Sequence, residues 1–153
     1  MLDLYGQIDA KIEELETEII EIITALNPPT LSIKGIGAVS AAVIVSEYGD
    51  FSRFENPNKM LSFAGLEPGY FQSGTSEHKG RMVKRGSSQL RNALMNCARA
   101  IPLHNETFAV YYRKKIDEGK PYNVAVNHVA KKLVRLIFAL ETKGTMFDPV
   151  TLK

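Results

Sequence analysis

Val126-Asn127-His128-Val129-Ala130-Lys131-Lys132-Leu133-Val134-Arg135-Leu136-Ile137 is the run that sets the architecture. Its apolar positions Val126, Val129, Leu133 and Ile137, continued at Leu140, recur once per helical turn, which predicts a long helix over about 122–143. A second face carries His128, Lys131, Lys132 and Arg135 at i, i+3, i+4 and i+7, a basic stripe one helix side wide. A solvated charged face and a nucleic-acid contact are both open readings of that stripe.

Working back toward the N-terminus, the same period returns. A helix beginning near Asn105 has Phe108, Tyr111, Tyr112 and Ile116 as its core side and Arg113-Lys114-Lys115 outside, closed by Gly119 and Pro121. Before it, Ser87 or Ser88 can cap a helix with Leu90, Leu94, Cys97 and Ile101 on one face, Arg91, Met95 and Arg99 on another, and Pro102 as its expected end. Asn56-Pro57 opens a short helix with Met60, Leu61 and Phe63 inward, ended by Gly65 and Pro68. Gly49 is a natural cap after Tyr48, and Asp50 and Ser52 can cap the next turn of chain. The expected fold class is all-α, about six helices.

At the N-terminus, Leu4, Ile8, Ile12, Leu15, Ile19, Ile22 and Leu26 form a heptad-like stripe flanked by acids, a coiled-coil-like helix that needs a partner for its apolar side. That partner is either its own domain or a second chain. Pro28-Pro29 stop the helix. The expected organisation is a connector helix over 1–27, a helical domain over 28–143 and a flexible tail over 144–153. A chain opening on such a helix reads as part of something longer.

Composition fits one domain of 153 residues with a real core. No apolar run reaches the roughly 18 residues of a membrane span, and the N-terminus is acidic where a secretory signal is basic, so a cytoplasmic protein with no membrane partner is expected. The single cysteine, Cys97, excludes an internal disulfide and reads as packing. The net charge of +2 averages two unlike parts. Residues 1–26 hold seven acids against Lys11, leaving −6, so the remainder carries +8, and from His78 to Asn105 there are six Lys or Arg and no acid. Such asymmetry attracts polyanions.

Two stretches carry chemistry. Leu31-Ser32-Ile33-Lys34-Gly35-Ile36-Gly37-Ala38 leads into a small-residue helix and resembles a helix-hairpin-helix motif. There Gly35 and Gly37 would permit close approach, N–H groups at Gly37 and Ala38 would hold a phosphate, and Lys34 would add charge. A plain tight turn is the alternative. Tyr70-Phe71-Gln72-Ser73-Gly74-Thr75-Ser76 sets hydroxyls beside Lys79, Arg81, Lys84 and Arg85. The helical period is lost there, and Tyr70-Phe71-Gln72 against Arg81-Met82-Val83 is expected to form a small β-hairpin around the serines.

In order, the blocks Ile36-Gly37, Glu47-Tyr48-Gly49-Asp50, Arg53-Phe54, Phe63-Ala64-Gly65-Leu66-Glu67-Pro68, Gln72-Ser73-Gly74, Lys84-Arg85-Gly86, Leu90-Arg91 and Ala130-Lys131-Lys132-Leu133 resemble the C-terminal domain of the IS-one-ten/one-sixteen/nine-oh-two insertion-sequence transposases. The resemblance spans about residues 30–141. It implies a DNA recombinase in which Ser73 is the catalytic serine, with Ser76 the alternative if the loop is out of register. It also implies a preceding RuvC-like domain with a metal-binding acidic tetrad, so no cofactor belongs to this chain and Mg2+ belongs to the full-length enzyme. Implied partners are DNA, a guide (bridge) RNA, a second copy paired through residues 1–26, and a tetramer in the synaptic complex. The expected nucleic-acid-binding residues are Lys34, Gly35, Gly37, Ala38, Lys79, Arg81, Lys84, Arg85, Arg91, Lys131, Lys132 and Arg135. The isolated chain is expected to bind nucleic acid without cleaving it. The competing reading is a non-catalytic helix-hairpin-helix DNA- or RNA-binding and dimerisation module in which Ser73 only shapes a loop.

Overall fold

The computed structural model describes the backbone of residues 2–73, 76–82 and 86–150, and the side chains of 3–67 and 86–150. Within these lie six α-helices, α1 (Leu2–Leu26), α2 (Ala38–Tyr48), α3 (Pro57–Ala64), α4 (Ser88–His104), α5 (Glu106–Asp117) and α6 (Tyr122–Lys143), with short 3-10 turns at Pro29–Ser32 and Phe51–Arg53. One antiparallel hairpin, β1 (Pro68–Ser73) and β2 (Ser76–Met82), interrupts them. The all-helical expectation with a small hairpin at the serines holds.

Helix α6 is the central element and packs on α3, α4 and α5. All five positions of its expected stripe are buried, and Ala125, Ala130, Val134 and Leu136 are buried beside them. The extra residues widen the apolar face well beyond one stripe, so α6 is covered from several sides rather than laid on a surface. Its C-terminal part is clamped to the turn after α1: the Thr30 N–H and hydroxyl both donate to Glu141 Oε1, at 2.9 and 2.5 Å. Thr30 is fully buried, so its polar atoms need this partner.

An aromatic knot joins α2 to α3. The Tyr48 ring packs on Phe51, Phe54 and Phe63 at centroid separations of 5.6 to 5.9 Å, and its hydroxyl donates to the Met60 carbonyl at 3.2 Å. The Arg53 guanidinium lies over Phe54 and Phe63 at 4.7 and 4.8 Å and donates to the Tyr48 carbonyl at 2.7 Å. Cys97 is buried, and burial pushes its thiol pKa up.

Four sequence expectations are corrected. Pro102 does not end α4, which continues to His104; a proline in the last turn forfeits one backbone bond there without unwinding the residues after it. The hairpin is slipped from the expected pairing: Tyr70 opposes Lys79, Phe71 opposes His78 and Gln72 opposes Glu77, with a register shift between Pro68 and Tyr70. An extra residue on β2 around Gly80 accounts for that one-residue shift, glycine inside a strand being a common bulge site, and the rest of the slip follows from the pairing of Ser73 with Ser76. Ile116 is exposed rather than inward. Past Gly144, Phe147 packs against the core and donates its N–H to Ser32 Oγ at 2.7 Å, so that part of the tail is tied down.

Helix α1 resolves its own question of face. All seven stripe residues are 37 to 69% exposed, and the residue that α1 buries is Ile23, off the stripe. The first four stripe residues, Leu4 to Leu15, are exposed, while Ile19, Ile22 and Leu26 lie along an apolar groove between α1 and α2.

At the start of α4, the Ser87 hydroxyl accepts from the Leu90 N–H at 3.1 Å and donates to Glu47 Oε2 at 2.6 Å, tying α2 to the helix cap. Ser87→Ala removes both bonds and is expected to cost about 1–2 kcal/mol. A lowered urea midpoint with an unchanged slope would report it; an unchanged midpoint would mean that the cap contributes nothing.

Candidate nucleic-acid interface

The expected site residues divide between the two ends of α4. At its C-terminal end, Ile36 N–H bonds to the Ile33 carbonyl at 3.0 Å, closing a tight turn that presents Lys34 and Gly35. Gly35 has φ +105°, and a Cβ there would meet Ile101 Cγ1 at 2.9 Å. Both facts restrict the position to glycine. Asn105, buried at the α4–α5 corner, donates to the Lys34 carbonyl at 3.3 Å and braces the turn from the other side. Lys34 is exposed, and a Cβ on Gly37 would meet nothing within 4 Å. Gly37 and Ala38 thus begin α2 with the helix N-terminus open to approach from outside. The element preceding the turn is a four-residue 3-10 helix, so the full first helix of a helix-hairpin-helix is not formed.

At the N-terminal end of α4 stands the root of the hairpin. Gly86 has φ +100°, and a Cβ there would lie 2.1 Å from the Phe63 carbonyl oxygen, so this junction also demands glycine. Arg91 is one turn further along α4; it is half-buried and its Nη1 is buried without a hydrogen-bond partner. On α6, Lys131 is half-buried. Its pKa is lowered by burial and by Arg135 beside it, against a smaller opposing pull from Glu67 at the foot of β1. Lys131 therefore lies on the side of α6 toward Glu67, with Arg135 one turn further along the same helix.

Lys132 does not join them. Its Nζ lies 4.5 Å from the Tyr111 ring centroid and 5.7 Å from that of Phe108, on the α5 side, and burial lowers its pKa. The one-sided basic stripe expected on α6 is split, and Lys132 is used in packing α5 against α6. His128 is also turned to that side: burial, then Lys115, Lys131 and Lys120, push its pKa down, with only Glu118 opposing.

The two ends are well separated. Seventeen residues of α4 span about 25 Å, so the Gly35 turn and the hairpin root cannot hold one phosphate between them. The backbone places Ser73 opposite Ser76, at the far end of the six-residue strand β1, roughly 17 Å from Pro68. Lys79 lies on β2 opposite Tyr70, and Arg81 lies near the bulge. Lys84, Arg85 and Gly74 fall outside the described residues. Among the described residues no three His, Cys, Asp or Glu side chains gather so as to hold a metal ion.

The family model for transposases of the IS116/IS110/IS902 family matches residues 30–113. The chain belongs to that family. The matched residues run from the Gly35 turn through the hairpin to α5, so both ends of α4 lie inside them, while α1 and α6 lie outside. Relatives in this transposase family include an insertion element IS110 uncharacterized 43.6 kDa protein of Streptomyces coelicolor, 30% identical over 88% of this chain and 34% of its own length. A probable family 20 transposase of Pseudomonas aeruginosa is 29% identical over 93% of this chain and 44% of its own length. A pilin gene-inverting protein of Moraxella bovis is 28% identical over 76% of this chain and 37% of its own length. The chain thus spans less than half the length of these curated relatives. No helix among the described residues is long and apolar enough to cross a membrane.

Sequence reasoning missed the bracing residues: Glu47 on Ser87, Asn105 on Lys34, and Arg53 between two phenylalanines. Asn105 had a local signal, a polar residue between two helices. The partners of all three depend on tertiary contact.

Proposed function

We propose that this chain is the strand-exchange portion of a longer DNA transposase, holding DNA by its backbone and supplying Ser73 as the nucleophile. The supporting observation is family membership over a segment containing Gln72-Ser73-Gly74, in a fold whose backbone carries Ser73 to the end of a hairpin. In the proposed step Ser73 Oγ gives up its proton and forms a bond to a backbone phosphorus, while the bond from that phosphorus to one deoxyribose oxygen breaks. That oxygen takes up a proton and leaves as a strand-end hydroxyl. Attack on the phosphoserine by a hydroxyl of the other strand reverses the bond changes and frees the serine, so phosphodiester energy is conserved.

A serine hydroxyl ionises poorly unaided. Under this proposal the help comes from a RuvC-like domain elsewhere in the protein, which would bring Mg2+, and the 153-residue chain alone binds DNA without cutting it. Arg91 on α4 and Lys131 and Arg135 on α6 belong to the helical body, whereas Ser73 ends β1, so their proposed work is backbone grip some nucleotides from the reacting phosphate, not stabilisation of its transition state. The Gly35 turn and the start of α2 give a second, helix-hairpin-helix-like grip through Lys34 and the N–H groups at Gly37 and Ala38. A duplex touching both ends of α4 would be held across about seven base pairs, so the grip sets register without reading sequence. Sequence choice then falls to a guide RNA. The exposed heptad stripe of α1 supports pairing with a second copy, and through it assembly of a synaptic tetramer.

Titration of the chain with duplex DNA across a salt series tests the grip. Lys131→Ala and Arg135→Ala are each expected to weaken binding several-fold and to reduce the log–log salt slope by about 1. Lys132→Ala should leave the slope unchanged and instead lower folding stability by about 1 kcal/mol, through the lost ring contacts. Equal slopes for all three variants and the parent would contradict the assignment.

A further inference from the structure

The C-terminal end of α4, one side of α5 and the first turn of α6 enclose a groove of about 420 Å³. It lies away from the hairpin, and neither of the two proposed DNA grips uses it. Pro102 and Val126 line its apolar part, and Tyr112 and Tyr122 meet across it edge to face, with centroids 6.5 Å apart at 81°. Tyr122 is 53% exposed, which leaves ring surface uncovered by the chain.

Two guanidinium groups, of Arg99 and Arg113, complete the lining. Arg99 bonds to the neutral Asn96 Oδ1 at 2.9 Å, so its charge is not neutralised there. Arg113 reaches Glu106 at 3.2 Å, but both side chains are well exposed, and such a pair is weak and readily exchanged. Exposed aromatic surface beside planar, permanent cations suits a flat heteroaromatic ring that carries an anion.

We infer that this groove takes one unpaired nucleotide of a single-stranded nucleic acid, its base against Tyr122 and its phosphate on Arg99 and Arg113. A paired base keeps its faces inside the duplex stack, so only an unpaired one can enter. A neutral apolar side chain would fill the groove but leave the Arg99 charge without an anion and Arg113 with only its exposed pair. Ile101 and Asn105, on the same end of α4, back the Gly35 turn, so the groove and that turn share one end of the helix. Base and phosphate are common to RNA and DNA, and the inference rests on the reading of the chain as nucleic-acid-binding.

The test measures anisotropy of labelled oligothymidylate, oligouridylate and a duplex against the whole chain and its variants. Tyr122→Ala is expected to weaken binding of at least one single strand roughly tenfold, while Tyr122→Phe, which keeps the ring, retains it. Arg99→Glu should weaken the same single strand at least as much. Duplex affinity should stay within about twofold for Tyr122→Ala, and thermal melting should show each variant folded. The stronger of the two single-strand arms identifies the source as RNA or DNA. Single-strand and duplex affinities falling together, or neither falling, overturns the groove and leaves the nucleic-acid reading standing. Parent chain that binds none of the three probes overturns both.

Discussion

Ser73→Ala, introduced into a full-length transposase carrying this chain, is expected to lower recombination by on the order of 10^3-fold or more while leaving DNA affinity within about twofold. Removing a nucleophile abolishes the covalent route outright. Binding survives because the proposed grips lie elsewhere: the Gly35 turn is at the C-terminal end of α4, and Arg91, Lys131 and Arg135 are on α4 and α6 of the helical body, whereas Ser73 ends β1. Ser76 is the internal control. Its backbone pairs with that of Ser73 across the hairpin, and it is the nucleophile if the loop were read out of register. Ser76→Ala should therefore retain recombination within about tenfold. Loss with Ser76→Ala and not with Ser73→Ala would move the nucleophile; full activity of both variants would favour the non-catalytic reading, in which the serines only shape a loop.

Gly86→Ala is expected to destabilise the chain by about 3 kcal/mol or more, the largest stability effect of a single methyl anticipated in this fold. Two costs coincide. At φ +100° a Cβ is strained whatever the space around it, and here the new carbon would lie 2.1 Å from the Phe63 carbonyl oxygen and 3.0 Å from its carbon. Those are backbone atoms at the end of α3, so no rotamer change relieves the clash. The junction must open instead, breaking the Ser87 N–H bond to the Phe63 carbonyl and disturbing the cap that Ser87 makes for α4. Urea unfolding with a lowered midpoint would show it. A midpoint matching the parent would mean that the hairpin root is not held by this close contact. Because Gly86 positions the hairpin on the helical body, the same variant in the full-length protein should lose strand exchange through misplacement of Ser73 even where it folds.

The parts of this fold legible in sequence are those whose signal is local. Val126 to Leu140 announced α6 because a helical period is complete within a few turns, and Asn56-Pro57 and Ser87 announced their helix starts because caps act over three residues. Asn56 does accept from the Lys59 N–H, at 3.2 Å. Adjacent residues with the same chemistry were not separable. Lys131 and Lys132 differ by about 100° around α6, and which of them meets the α5 rings is fixed by how α5 packs, not by either side chain. The hairpin register was missed for a related reason: both pairings keep the strands antiparallel, and the four-residue difference depends on how few residues the chain spends between Ser73 and Ser76. The Thr30–Glu141 clamp joins residues 111 apart, and the groove of Tyr112, Tyr122, Arg99 and Arg113 draws on three helices. Neither has a sequence period to betray it. The stripe on α1 was visible from its heptads, but that Ile23 makes the buried contact, with the last stripe residues along a groove beside α2, needed the packing of α1 on α2.

The division of labour proposed for the cations comes from geometry rather than from charge count. Arg53, in a block that carries the family resemblance, is held between Phe54 and Phe63 and serves the knot that fixes α3 under the hairpin. Lys132 is likewise structural. Among the described residues, the cations proposed for duplex DNA are Lys34 at one end of α4 and Arg91, Lys131 and Arg135 toward the other, two grips far enough apart to orient a duplex and too far apart to act on one phosphate.

The central claim is that Ser73 becomes covalently joined to a DNA strand. It is tested most directly by incubating the full-length transposase with a nicked substrate that prevents religation, digesting the trapped complex, and sequencing the DNA-linked peptide by mass spectrometry. The account predicts a nucleotide-bearing phosphoserine at position 73, absent from Ser73→Ala. A recombining enzyme with no protein–DNA adduct, or with its adduct on any other residue, would contradict it.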